Sequence, residues 1–132
     1  MNLNNIFEKL VYGSGKGITF THEDRDDKFC SYDELREESA KLAAYLKKNG
    51  IKRGDEVLVH SADLKFFITS MWACFHGGYI AVPIDNGSND TKAQTIKYIL
   101  DSMKNPYVIC DNVSKEYYSG EYADRVIDIT GI

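Results

Sequence analysis

Apolar residues recur at helical spacing from Leu64 to Phe75, then give way to an unbroken apolar run from Tyr79 to Val82. Leu64, Phe67, Ile68, Met71, Trp72 and Phe75 follow the i, i+3, i+4, i+7 rule and define one face of a helix. Gly77 and Gly78 separate the two patterns, and glycine closes a helix by reaching the left-handed backbone without a Cβ penalty. Tyr79-Ile80-Ala81-Val82 has the composition of a strand covered on both faces. Pro83 ends that strand because proline cannot donate to a sheet ladder. The stretch predicts helix, tight turn and buried strand, which is half of a βαβ unit.

The same reading extends in both directions. Asn5 to Val11 predicts a short helix, with Ile6, Phe7, Leu10 and Val11 on one side. Ile18 to Thr21 and Lys28 to Tyr32 predict two strands of a hairpin, with the charged run Glu23-Asp24-Arg25-Asp26-Asp27 at its tip. Ser31-Tyr32-Asp33-Glu34 is a capping box, in which Ser31 caps the amide three residues on. The helix it opens runs to about Asn49, with Leu35, Ser39, Leu42, Ala43 and Leu46 inward. Gly50 closes it, Lys47 and Lys48 suit its negative end, and Ile51 packs back on the last turn. Glu56 to His60 predicts a strand, followed by Asp63 as the N-cap of the central helix. A polar loop, Asp85 to Asp90, leads to a third helix with Ala93, Ile96, Lys97, Leu100 and Met103 along one side. Pro106 stops it. Tyr107 to Cys110 and Val126 to Ile129 predict further strands, joined by a poorly patterned segment from Val113 to Gly120. The expected fold is α/β: an N-terminal β-hairpin, then a mostly parallel doubly wound sheet with helices on both faces.

Composition narrows the function. A single domain is expected from 132 residues, and 43% hydrophobic with 27% charged residues is ordinary for a globular chain. A net charge of −4 without a Lys/Arg cluster argues against a nucleic-acid footprint. The longest nearly apolar run, Phe66 to Phe75, is too short to span a bilayer, and the N-terminus has no signal-like core. The expected location is cytoplasmic. Cys30, Cys74 and Cys110, like His22, His60 and His76, are too scattered for a zinc site, and Cys74 and Cys110 read as small buried hydrophobes. Gly13-Ser14-Gly15-Lys16-Gly17 tempts the eye as a phosphate loop. Lys16, however, precedes glycine rather than Ser/Thr, and the run leads into a strand, so a flexible connector is expected. His60, at a strand end, has no sequence-visible nucleophile or carboxylate partner, and a structural histidine is expected there. Asp85 is read as a turn former, with a ribose or metal ligand as its functional alternative.

Three ordered segments carry a family resemblance. Phe29-Cys30-Ser31-Tyr32-Asp33-Glu34-Leu35, with Ala40, Leu42 and Ala43 beyond, resembles the "S/T-Y-x-E-L … A…LA" motif of the adenylate-forming ligases. Gly50 to Val57 resembles their "G-(x)3-G-D-x-V" segment. Trp72-Ala73-Cys74 through Gly77-Gly78 to Val82-Pro83-Ile84-Asp85 resembles their "A…GG…V-P-(I/L)-D" core. The family comprises acyl-CoA synthetases, fatty-acyl-AMP ligases, peptide-synthetase adenylation domains and luciferases. The hairpin and Trp72-Ala73-Cys74 look most similar to the fatty-acyl-AMP ligases. The resemblance implies the N-terminal lobe of a longer enzyme that activates a carboxylate with ATP and magnesium and passes it to coenzyme A or a carrier protein. It carries over no catalytic, cofactor-binding or metal residue. The "S/T-S/T-G-T/S-T-G-x-P-K" phosphate loop, the downstream acid and the mobile-domain lysine are all absent from the 132 residues. The matching segments are scaffold: caps, helix-ending glycines and a strand-ending proline.

Two other classes compete with that enzyme lobe. One is a stand-alone interaction module that kept the scaffold. The other is a flavodoxin-like nucleotide binder, using Ser61 and Asp85-Asn86-Gly87-Ser88 beyond the carboxyl ends of strands. The lobe reading also predicts self-association through apolar surface near Tyr107, Tyr117, Tyr118 and Tyr122.

Overall fold

A computed structural model describes residues 8, 11–21, 23–61, 63–84, 92–110, 118 and 124–128, the side chains of residues 92, 93 and 128 excepted. The predicted helix over Asn5–Val11, apart from Glu8 and Val11, the loop from Asp85 to Asp90, and the segment from Val113 to Gly120, apart from Tyr118, lie outside the described residues.

The elements are β1 (Gly17–Phe20), β2 (Lys28–Ser31), α1 (Tyr32–Lys48), β3 (Glu56–His60), α2 (Leu64–Gly77), β4 (Ile80–Pro83), α3 (Lys92–Ser102), β5 (Tyr107–Cys110) and β6 (Val126–Asp128). β1 and β2 pair antiparallel, with Gly17 opposite Ser31 and Phe20 opposite Lys28. The other four strands form one parallel sheet in the order β4-β3-β5-β6. This is the expected α/β architecture, with the hairpin outside the main sheet.

The pleat of β3 divides the core. Val57 and Val59 point to one face and pack with Ile109 and Ile127 against Leu42 and Leu46 of α1 and Ala73 and Cys74 of α2. Leu58 points to the other, where Val108 and Cys110 meet Ile96 and Leu100 of α3. The helices therefore cover both faces. A third cluster, Phe20, Cys30 and Leu35, fastens the hairpin to α1.

Local chemistry explains the boundaries. The Ser31 hydroxyl accepts from the Glu34 amide at 3.1 Å and opens α1. At the other end the Gly50 amide donates to Lys47 and the Ile51 amide to Leu46, the paired bonds of a Schellman closure. Gly50 sits at φ +101°, and Ile51 folds back to 1% exposure. Asp63 caps α2, its carboxylate accepting from the Lys65 and Phe66 amides.

Four expectations need correction. Among the described residues β4 is an edge strand, not a buried one: β3 is its one neighbour there, and Ile80 is 53% exposed. The buried centre is β3. The Ile80 and Ile84 amides donate to Asp55 and Val59, so by alternation Ala81 and Pro83 face outward. Pro83 has no N–H, which leaves Ala81 as the outward donor within β4 and guards the edge against strand addition. The predicted face of α2 also shifts. Its most buried residues are Thr69, Ser70, Ala73 and Cys74, small groups that admit the neighbouring elements closely. Phe67 and Met71 pack toward the sheet, Ile68 and Trp72 toward the hairpin, and Leu64 is exposed. On α3, Lys97 points to solvent while Ile96 and Leu100 form the inner side. Finally, Tyr118 is buried rather than exposed.

Burial pushes the Cys74 thiol up from 9.0 to about 12. Between those values the unfolded chain loses a proton that the folded chain keeps, so stability falls as pH rises from about 9 toward 12. Urea midpoints at pH 8 and pH 10.5 should therefore drop more for the parent chain than for Cys74→Ala. Equal drops would rule out Cys74 as the source.

Candidate functional site

In an open parallel sheet, ligands sit beyond the carboxyl ends of strands where the strand order reverses. Here that point lies between β3 and β5, where His60 stands in register with Cys110. His60 is fully buried, and its Nδ1 lies 2.6 Å from the Tyr118 hydroxyl. The two rings meet edge to face, with centroids 5.7 Å apart. Tyr118 comes from the poorly patterned segment after β5 and is buried against His60. The pair ties the chain after β5 to the end of β3. His60 thus has a side-chain partner that no local pattern announces.

The next residue is equally committed. The Ser61 hydroxyl donates to the Asp63 carbonyl and accepts from the Asp63 amide, both at 3.1 Å. It shapes the turn into α2. Asp85, Asn86, Gly87 and Ser88, the other expected contacts of a nucleotide binder, lie outside the described residues.

The glycine run after the N-terminal segment behaves as a connector. The Gly13 amide donates to both Asp33 carboxylate oxygens, at 2.9 and 3.2 Å, so a carboxylate of the protein's own occupies the loop. Arg36 pairs with Glu8 at 2.7 Å and stacks over the Tyr12 ring at 5.0 Å. Burial lowers the affinity of neighbouring His76 for a proton, and the Arg36 charge adds to that. These contacts clasp the start of the chain to α1.

Among the described residues, no group of three or more His, Cys, Asp or Glu side chains is placed to hold a metal ion. Among the described residues, His60 at the switch point and the Gly13 amide of the glycine run are engaged with protein partners, Tyr118 and Asp33. No helix among them is long and apolar enough to cross a membrane. A surface cleft of about 560 Å³ lies between the hairpin, α1 and the first turns of α2.

The sequence profile of the AMP-binding enzymes matches residues 11–130. The chain belongs to the AMP-binding enzyme family. It is 33% identical over 90 residues to the chloroplastic/glyoxysomal acetyl-coenzyme A synthetase of Arabidopsis thaliana, a stretch that covers 67% of this chain and 12% of that protein. Among solved structures it resembles McyG A-PCP complexed with phenylalanyl-adenylate, with a TM-score of 0.85 and 25% identity over 97% of this chain and 25% of the other. The fatty acid AMP ligase of Legionella pneumophila shares the fold, with a TM-score of 0.70 and 23% identity over 86% of this chain and 20% of the other. So does the O-succinylbenzoate coenzyme A synthetase of Bacillus subtilis in complex with AMP, with a TM-score of 0.68 and 21% identity over 94% and 30%. The chain thus spans about an eighth of this curated relative and a fifth to a third of these structures.

Proposed function

We propose that these 132 residues form one structural lobe of an ATP-dependent ligase that activates a carboxylate as its acyl-adenylate. The observation that carries this reading is the family match over residues 11–130. The likeness to an A-PCP complexed with phenylalanyl-adenylate, over 97% of the chain, supports it. The lobe supplies a rigid sheet, two helix layers and the strand ends around which a site is assembled. Its residues take no acid, base or nucleophile role. ATP and magnesium are bound by other parts of the ligase, and the acceptor is a carrier protein or coenzyme A. The ligase works in the cytoplasm, and the lobe by itself associates with further copies through surface that its neighbours otherwise cover. Tyr98, 77% exposed, is a better candidate for that surface than the buried Tyr118.

A graft tests the reading. The 132-residue chain alone should give no carboxylate-dependent exchange of pyrophosphate into ATP. Substituted for the matching quarter of the A-PCP enzyme, it should restore phenylalanine-dependent exchange to within about a hundredfold of the parent. Clear exchange by the chain alone, or a folded graft that binds phenylalanine and ATP without exchange, would sink the scaffold assignment.

A further inference from the structure

We propose that the cleft between the hairpin and the helices binds a small organic anion with a flat apolar body. This inference rests on the cleft's own lining and not on the ligase reaction. About 560 Å³ lies within the range of small-molecule sites. Its apolar part comes from three elements: Phe20 of β1, Leu42 of α1 and Phe66 of α2. Phe20 and Leu42 are buried at 6% and 4% exposure, whereas Phe66 keeps 37% of its surface open at the rim. Two phenylalanine rings and a leucine suit a planar group, because aromatic faces stack with offset geometry.

The charges around this floor are unequal in what remains free. Lys65 and Glu38 neutralise each other at 3.1 Å. Asp63 spends its carboxylate on the first amides of α2. Arg25 and Lys28 from the hairpin, and Lys41 from α1, also line the cleft, and none of them is within ion-pair distance of a described carboxylate. Asp26 is the one lining acid left over, while Glu23, Asp24 and Asp27 of the same tip lie outside the lining. Three uncommitted cations from two elements face one uncommitted acid, in a chain of net charge −4. The first turn of α2 adds its positive end, partly offset by Asp63. An anionic head held by Lys28, Lys41 and Arg25, with its body against Phe20 and Phe66, satisfies both halves of the lining.

The test is a titration of the 132-residue chain, followed by amide NMR shifts. The probes are 1-naphthyl phosphate, 1-naphthoate, 1-naphthol and inorganic phosphate. Saturable binding of a naphthyl anion is expected, with shifts at Phe20, Lys28, Lys41 and Thr69, and the tighter of the two anions identifies the preferred head group. Naphthol and inorganic phosphate should each bind at least tenfold more weakly. Lys41→Glu and Lys28→Glu, both at exposed positions, should weaken the anion at least tenfold with the melting temperature unchanged. Unsaturable shifts spread over the surface, or either folded variant binding as the parent does, would overturn the proposal.

Discussion

Leu58→Ala should cost about 2–5 kcal/mol of stability, the range for deleting a fully buried leucine side chain. Leu58 is at 0% exposure on the central strand, in register with Val82 on one side and Val108 on the other. Its side chain lies under α3, among Ile96, Leu100 and Tyr118. Collapse around the vacancy is resisted from both sides. The flanking strands are held by the ladder, and Tyr118 is held by its hydroxyl on His60. The loss is therefore expected toward the upper end, where the lining relaxes least. Against a typical total of about 5–15 kcal/mol, that is enough to lower the melting temperature by on the order of 10 °C. Tyr98→Ala is the control, since Tyr98 is on the same helix with 77% of its surface in solvent and should shift stability by no more than about 0.5 kcal/mol. Urea denaturation of the two variants decides the matter. A Leu58→Ala loss below about 1 kcal/mol would mean that the sheet does not have β3 at its centre.

Much of this layering is legible in the sequence because it is encoded locally. The capping serine, the Gly50–Ile51 closure and the inward stripe of α1 are each set by residues a few positions apart, and all appear as expected. The strand at Val57–Val59 is equally plain. What failed is decided by partners distant in the chain. A short apolar run such as Ile80–Val82 reads alike whether it ends up at the middle or the edge of a sheet. Only the crossover order, with β5 joining β3 on its far side, makes it an edge. Pro83 ends β4 as read, and on an edge it also removes an outward donor. The stripe of α2 was misjudged for a related reason. The helix is apolar nearly all round and packs against both the sheet and the hairpin, so periodicity alone could not say which side is most deeply covered. Tyr118 had no signal at all, since a single aromatic in an unpatterned segment carries no period. The cleft was equally hidden, because its lining unites a hairpin tip, read as a solvated charge run, with residues of two helices that lie beyond it in the chain.

The two glycines after α2 should both resist substitution, for different reasons that a double-mutant cycle separates. Gly78 holds a left-handed backbone at φ +71°, and a Cβ there would come within 2.9 Å of Arg53 Cγ. Gly78→Val is expected to cost about 1–3 kcal/mol, mostly as backbone strain. Gly77 is helical and carries no such strain. A Cβ on it would instead overlap the ring of Tyr79, which is 7% exposed and packed in the main core. Displacing that ring gives up about 1.5–3 kcal/mol of burial, so Gly77→Ala should destabilise, although the same change in an open helix stabilises by about 0.5–1 kcal/mol. The contrast appears when Tyr79 is first replaced by leucine. Without the ring, Gly77→Ala should become neutral or stabilising, whereas Gly78→Val should cost as much as before. Interaction energies above about 0.5 kcal/mol are thus expected for the Gly77–Tyr79 pair and not for the Gly78–Tyr79 pair. Chemical denaturation of the parent, the single variants and the two double variants measures both. If Gly77→Ala is equally costly with and without the tyrosine ring, backbone conformation, and not the close approach of Tyr79, is what requires glycine at that position.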